Sequence, residues 1–194
     1  MKRRLLLAVS LAGLLAWHLE VDLRGEETGI IESKIGDRQV KLMLTGSAVR
    51  TRSIFKIYAV DSYVELGHNV RTGEDMIALD CPKQLHLAML RNVAGPDMAE
   101  AFTAILRSNH PEPAFEEEVK TVANILRGQT AHKGDEIWFT HIPKVGFQCR
   151  ASGGMVHLVR NVDFSKAVWE NYFGKHNVGD NVKRALLARL PKAD

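Results

Sequence analysis

The stretch from Ser53 to Leu66, SIFKIYAVDSYVEL, restricts the fold more than any other part of the chain. Its β-branched and aromatic residues fall on both parities, with Lys56, Tyr58 and Val60 on one and Phe55, Ile57, Ala59 and Tyr63 on the other. Successive side chains of a strand point to opposite faces, so such a strand needs both faces covered. It predicts an interior strand of a large sheet. RQVKLMLTG (38–46) and KQLHLAMLRNV (83–93) alternate apolar with polar residues and supply neighbours. DEIWFTHI, VGFQCRA and MVHLVRNVDF follow later, separated by turns at Pro143–Lys144 and Ser152–Gly154, which is a hairpin pattern.

Helical segments interrupt these runs. Thr72 before an acidic turn starts a short one. GPDMAEAFTAILRSN repeats Met98, Phe102 and Ile105 at helical spacing and closes before Pro111 and Pro113. FEEEVKTVANILRG carries Phe115, Val119, Val122, Ile125 and Leu126 on one side and ends at Gly128; the acids Glu116–Glu118 suit its N-terminal dipole. SKAVWENYFG and NVKRALLARL, stopped by Pro191, form a helical C-terminus. Strands, two helices, strands and two helices predict an α+β domain: an antiparallel sheet with helices on one face.

At 194 residues, 45% hydrophobic and 25% charged, the chain suits one globular domain with a real core. Its beginning differs. Lys2, Arg3 and Arg4 precede an uninterrupted run of small and apolar residues from Leu5 to Trp17, the n-region and h-region of a secretory signal. The run is shorter than the roughly 20 residues of a stable membrane span. Residues 1–19 are therefore expected to be a signal peptide, or a membrane tether if uncleaved. A loose, polar lead-in (20–36) ends in a first short strand, and the domain proper covers 37–192. Export to the periplasm or beyond is the expected destination. Removing the three basic residues brings the formal charge of +3 to neutrality, so no basic patch for nucleic acid remains. Cys81 and Cys149 sit in apolar strand-like stretches. They could pair in an oxidising compartment or stay as two buried thiols.

Familiar catalytic signatures are missing: there is no GxSxG elbow, P-loop, GxGxxG or HExxH. The eight histidines show no pair at i, i+2 or i, i+4, and His86 and His157 read as ordinary mid-strand residues. No metal or cofactor is implied. The polar residues around the central strand are what remains. Arg50 can meet Tyr58 only if the chain turns near Arg52–Ser53; it would then offer a charged fork and a phenol to one carboxylate. On pattern alone the simpler explanation prevails: Arg50 and Arg52 are solvated turn residues, Tyr58 is a sheet aromatic with its hydroxyl in water, and Lys56 reads as a solvated residue beside it.

GSAVRTRSIFKIYAVDSYVE resembles the opening strands of the chalcone isomerase superfamily, with Gly-x-x-x-Arg followed by Lys-x-Tyr-Ala-x-x-x-Tyr. VWENYFGKHNVGDNVKRALLARLP resembles its closing helices; KQLHLAMLRNVAGPDMAEAF and KGDEIWFTHIP fit between, so the resemblance spans residues 40–191. It implies an open-faced β-sandwich, a large antiparallel sheet with layered helices and a cleft between them. It also implies that Arg50 matches the arginine that polarises the substrate in the plant enzymes. Tyr58 takes the place of a strand threonine, Met98 falls near the catalytic tyrosine and Ile105 near a helix asparagine. Asn171 and Tyr172 fall on a threonine and methionine of the substrate pocket. Met98 has no ionisable proton and Ile105 cannot hydrogen-bond, so the ring-closing network is absent. Arginine with tyrosine at this strand position is the pattern of the family's fatty-acid-binding branch.

The resulting expectation is a non-catalytic binding protein holding a fatty acid or similar small amphipathic carboxylate. Arg50 and Tyr58 would grip the head, and Phe55, Ile57, Met98, Phe102, Ile105, Asn171 and Tyr172 would line the cleft. An isomerase or intramolecular lyase acting on a chalcone- or enone-like substrate through Arg50, and an envelope interaction module with a vestigial cleft, are the alternatives. Membrane contact is expected only through an uncleaved N-terminal segment.

Overall fold

The computed structural model describes residues 29–154 and 156–191. The expected leader, and the lead-in up to residue 28, lie outside the described residues. Seven strands form one sheet in sequence order, every neighbouring pair antiparallel: β1 (Ile30–Ile35), β2 (Arg38–Arg52), β3 (Phe55–Glu65), β4 (Lys83–Met89), β5 (Glu136–Ile142), β6 (Gly146–Ala151) and β7 (Val156–Val159). Five helices complete it: α1 (Gly73–Ala78), α2 (Gly95–Asn109), α3 (Glu116–Arg127), α4 (Val162–Phe173) and α5 (Asp180–Leu186). The strand that closes the lead-in is thus the edge strand of the sheet. Among the described residues no helix is long and apolar enough to cross a membrane.

Local chemistry accounts for the ends of these elements. Thr72 and Asp75 form a reciprocal capping box at α1. Pro96 stands in the first turn of α2. Asn161 caps α4 by accepting from the Phe164 N–H. Tight turns at Lys144 (φ 61°) and Gly153–Gly154 join β5, β6 and β7.

The main core lies between the sheet and the helices. Val60, Leu85, Leu87, Phe139 and Phe147 meet Leu106, Val119, Phe164, Trp169, Phe173 and Leu186, all buried. Each such side chain contributes about 1.5–3 kcal/mol when fully buried. α4 buries eight of its twelve residues, among them Phe164, Val168, Trp169, Tyr172 and Phe173, and keeps a narrow charged stripe of Asp163, Lys166 and Glu170 outside the core. The stripe on α2 differs from the expected one: Ala99 and Leu106 are fully buried, whereas Met98, Phe102 and Ile105 are half-buried. The face pressed against the core is rotated toward the smaller Ala99, which lets the helix sit close.

The expectation that β3 is covered on both faces holds for only part of its length. Val60, Ser62 and Val64 are buried under the helices. On the other face only Tyr63 is buried, in a small second cluster with Ile35, Val40, Leu42 and Ile142, while Phe55 is 53% exposed. Sheet curl builds this cluster. A Cβ on Gly36, in the β1–β2 turn, would lie 3.6 Å from Ile142 Cγ2 on β5, four strands away. A flat sheet would separate them by about 19 Å.

A bulge at Thr45 sets the faces of β2. Leu44 pairs with Tyr63 and Gly46 with Ser62, leaving Thr45 unpaired. Leu42 and Leu44 therefore point to the second cluster, whereas Gly46, Ala48 and Arg50 point toward the helices. The Thr45 hydroxyl lies 2.8 Å from both the Leu186 carbonyl and the Ser62 hydroxyl, donating to the first and accepting from the second. α5 consequently crosses so close to β2 that a Cβ on Gly46 would stand 2.1 Å from the Ala185 carbonyl oxygen. Gly46→Ala is expected to destabilise the fold by about 2–3 kcal/mol through backbone overpacking, measured by urea denaturation; a change within about 0.5 kcal/mol would contradict this packing.

Candidate functional site

The β2–β3 hairpin turns at Ser53–Ile54 and places Arg50 directly opposite Tyr58 on the helix-facing side. Tyr172, from the last turn of α4, reaches the same place, close enough for the two phenols to perturb one another. Burial pushes both phenols up, Tyr172 well above the ordinary tyrosine range, against the pull of the nearby Arg50 guanidinium. Both hydroxyls thus remain protonated donors at physiological pH. Arg50 is half-buried and forms no ion pair among the described residues; its Nη1 donates only to the neighbouring Thr51 carbonyl, at 3.3 Å. Gly179, just before α5, makes room for it: a Cβ there would lie 3.3 Å from Arg50 Nη1, and φ of 146° suits glycine.

The other residues singled out from the sequence are distributed around this point. Met98 and Phe102 on α2 pack against the main core. Ile105 is half-buried one turn further on. Asn171 is buried beside Tyr172; its carbonyl accepts from the Val178 N–H at 2.8 Å, and its side-chain Oδ1 has no partner among the described residues. Ile57 is half-buried and Phe55 lies outside the cleft, on the opposite parity. Met98 borders a cavity of about 60 Å³ shared with Ile125, Ile137, Cys149, Ala151 and His157. His157 Nε2 is buried there without a hydrogen-bond partner among the described residues. Cys149 connects the two regions, lying close enough to Tyr172 to influence its phenol. Cys81 and Cys149 are separate buried thiols. Burial holds their pKa values up, at about 11 and about 12, so both stay protonated.

A second polar constellation had no signature in the sequence. His141 Nδ1 is 2.8 Å from Ser165 Oγ, and its Nε2 is 2.9 Å from Asp80 Oδ1. Ser165, His141 and Asp80 have the order of a catalytic triad. Ser165 and His141 are fully buried, so no substrate reaches this hydroxyl. The set instead ties β5 to α4 and to the loop after α1. Burial, with the positive charge of Lys83, lowers the His141 pKa to about 4 despite Asp80. A neutral ring then donates from Nε2 to the carboxylate and accepts at Nδ1 from Ser165. Burial works to raise the Asp80 pKa, but the hydrogen bonds from His141 and the Lys144 N–H outweigh it and hold the carboxyl below its usual range. Among the described residues no three histidine, cysteine or carboxylate side chains converge as metal ligands would.

A curled antiparallel sheet, helices on one face and an arginine–tyrosine pair beneath the C-terminal helices define a recognisable class. A family model described as chalcone isomerase-like matches residues 30–188, and the chain belongs to that family. No curated protein sequence matches it. The crystal structure of a fatty-acid binding protein from Arabidopsis thaliana is similar in fold, with a TM-score of 0.62 at 15% identity over 83% of this chain and 93% of that one.

The buried histidine has a measurable consequence. Between about pH 6.5 and 4 the unfolded chain binds a proton at His141 that the folded chain refuses, so stability present above pH 6.5 is lost as pH falls toward 4. The loss is expected to be on the order of 3 kcal/mol, and His141→Gln should flatten this part of a urea-midpoint-versus-pH profile. An unchanged slope in that variant would show that another group titrates there.

Proposed function

We propose that the protein binds a fatty acid or a similar small amphipathic carboxylate, with the head group at Arg50, Tyr58 and Tyr172. The observation that carries this reading is a half-buried arginine, facing two protonated phenols, that no carboxylate of the described chain neutralises. A permanently charged guanidinium with a phenolic donor beside it matches the two oxygens of a carboxylate. Tyr172 donating to the Tyr58 oxygen would leave the Tyr58 proton for the ligand. The acyl chain would run under α2 toward Met98, Phe102 and the cavity at Cys149. The name of the structurally similar Arabidopsis protein supports this choice of ligand class. The basic head and apolar run at residues 2–17 support an exported protein, periplasmic or secreted.

One observation favours a second reading, an interaction module whose cleft is closed. The cavity at Met98 holds about 60 Å³, whereas small-molecule pockets usually measure about 300–1,000 Å³. On the binding reading Met98 and Phe102 must yield to admit a chain, and their half-buried positions at the edge of the core allow that.

Mass spectrometry of lipid extracted from the purified protein, followed by titration with a long-chain fatty acid, separates the two. Arg50→Ala is expected to weaken fatty-acid binding by at least about tenfold, since a hydrogen-bonded charged contact contributes about 1.5–3 kcal/mol, and Tyr58→Phe should cost less. Arg50→Lys should recover part of the loss by restoring charge without the fork. Binding indifferent to Arg50→Ala, or no uptake at all, would sink the carboxylate site and leave the closed-cleft reading.

A further inference from the structure

The β2–β3 hairpin extends beyond its neighbours on both sides. β1 pairs with β2 only as far as Met43, and β4 with β3 only as far as Tyr58. The Ile57 carbonyl still accepts from the Leu90 N–H at 2.9 Å, and residues 51–56 project past the sheet's paired body. Their composition is unusual for a turn. Ser53 adopts a positive φ of 54° and Ile54 follows it, where two-residue hairpins favour glycine, asparagine or aspartate. Ile54 is 84% exposed and Phe55 53%, the most exposed large apolar side chains among the described residues. Neither contributes much to the core, so stability does not explain them.

Their surroundings are cationic. Arg52 and Lys56 flank the two apolar residues, and Arg91 places its guanidinium 4.7 Å above the Phe55 ring. No aspartate or glutamate occurs from Leu44 to Val60 or from Leu87 to Pro96. The adjoining loop brings Lys133 and Asp135, and the Asp135 carboxylate is already engaged by the His132 N–H at 2.7 Å. Apolar tips ringed by arginine and lysine match the interface of an anionic bilayer, where the apolar groups enter the acyl boundary and the cations meet phosphates.

We propose that the tip of this hairpin docks on anionic membrane surfaces by inserting Ile54 and Phe55, with Arg52, Lys56 and Arg91 at the headgroups. Arg50 lies three residues, about 10 Å, behind the Ser53–Ile54 tip, so a docked hairpin brings the mouth of the carboxylate site to the lipid surface, where an amphipathic acid can pass directly between bilayer and cleft. The docking surface stands whatever the cleft holds; only this exchange role rests on the carboxylate reading.

The test uses the full chain carrying Ile54→Cys labelled with an environment-sensitive fluorophore, the native thiols being buried at 2% and 8% exposure. Vesicles of phosphatidylcholine with about one-third phosphatidylglycerol are expected to blue-shift the probe and raise its emission several-fold, and high salt to reverse this. Adding Arg52→Glu and Lys56→Glu should weaken vesicle affinity at least about tenfold, each charge being worth roughly fivefold at such a surface. Co-sedimentation with an unshifted probe would mean that another segment carries the contact, and would overturn the proposal. No binding to anionic vesicles, or binding unaffected by the charge reversals, would overturn it too. Fatty-acid uptake in solution, read through Arg50, is a separate measurement, so either reading can fail alone.

Discussion

The placement of the candidate site depends on the unpaired residue at Thr45. Its hydroxyl links β2, β3 and the end of α5, joining the Ser62 hydroxyl to the Leu186 carbonyl in a fully buried position. The bulge reverses the parity of β2, so the even-numbered residues beyond it face the helices, whereas those before it face the second cluster. Without that reversal Arg50 would share a face with Leu42 and Leu44 and could not meet Tyr172. The same hydrogen bonds draw α5 against Gly46, and the approach to α5 carries the Gly179 that leaves space for the arginine. One backbone irregularity thus positions a charge, the helix beside it and the gap between them.

Helix α4 is the second organising element. Being enclosed, it can present different chemistry in different directions: Tyr172 to the strand pair, Ser165 to His141, and Glu170 to His110 at the end of α2, 2.8 Å away. Two buried polar atoms of this helix lack a hydrogen-bond partner among the described residues, the Trp169 indole N–H and Asn171 Oδ1. Asn171 adjoins the phenol pair, so its unpartnered oxygen lies close to the residues assigned to the ligand head. The hairpin arm that bears Arg50 continues into an apolar, basic tip, so the proposed ligand site and the proposed docking surface share one strand pair.

Much of the architecture was readable before folding was considered. The turns at Pro143–Lys144 and Ser152–Gly154, the cap at Thr72, the closure of α2 before Pro111 and the end of α3 at Gly128 all rest on conformational preferences of a few adjacent residues. The resemblance of the opening and closing segments to one family is matched by the family model over residues 30–188. The α2 stripe was displaced because helical spacing identifies a face but not which neighbour presses on it. The full coverage expected of β3 failed toward Phe55 because alternation cannot show where flanking strands end. Asp80, His141 and Ser165 went unseen, since residues so far apart in the chain meet only through sheet pairing and the docking of α4.

Local residue chemistry therefore settled the class of fold, the succession of elements and the presence of an arginine and a tyrosine on adjoining strand segments. Whether those two faced one another, and what stood beside them, depended on interactions outside the reach of any local pattern. Parity is a short-range property, and one extra residue at Thr45 inverts it. The partner Tyr172 lies 114 positions from Tyr58 along the chain, and packing of α4 against the sheet brings the two phenols together. Burial, which keeps both phenols protonated and His141 neutral, likewise arises only once sheet and helices exclude water from the same volume.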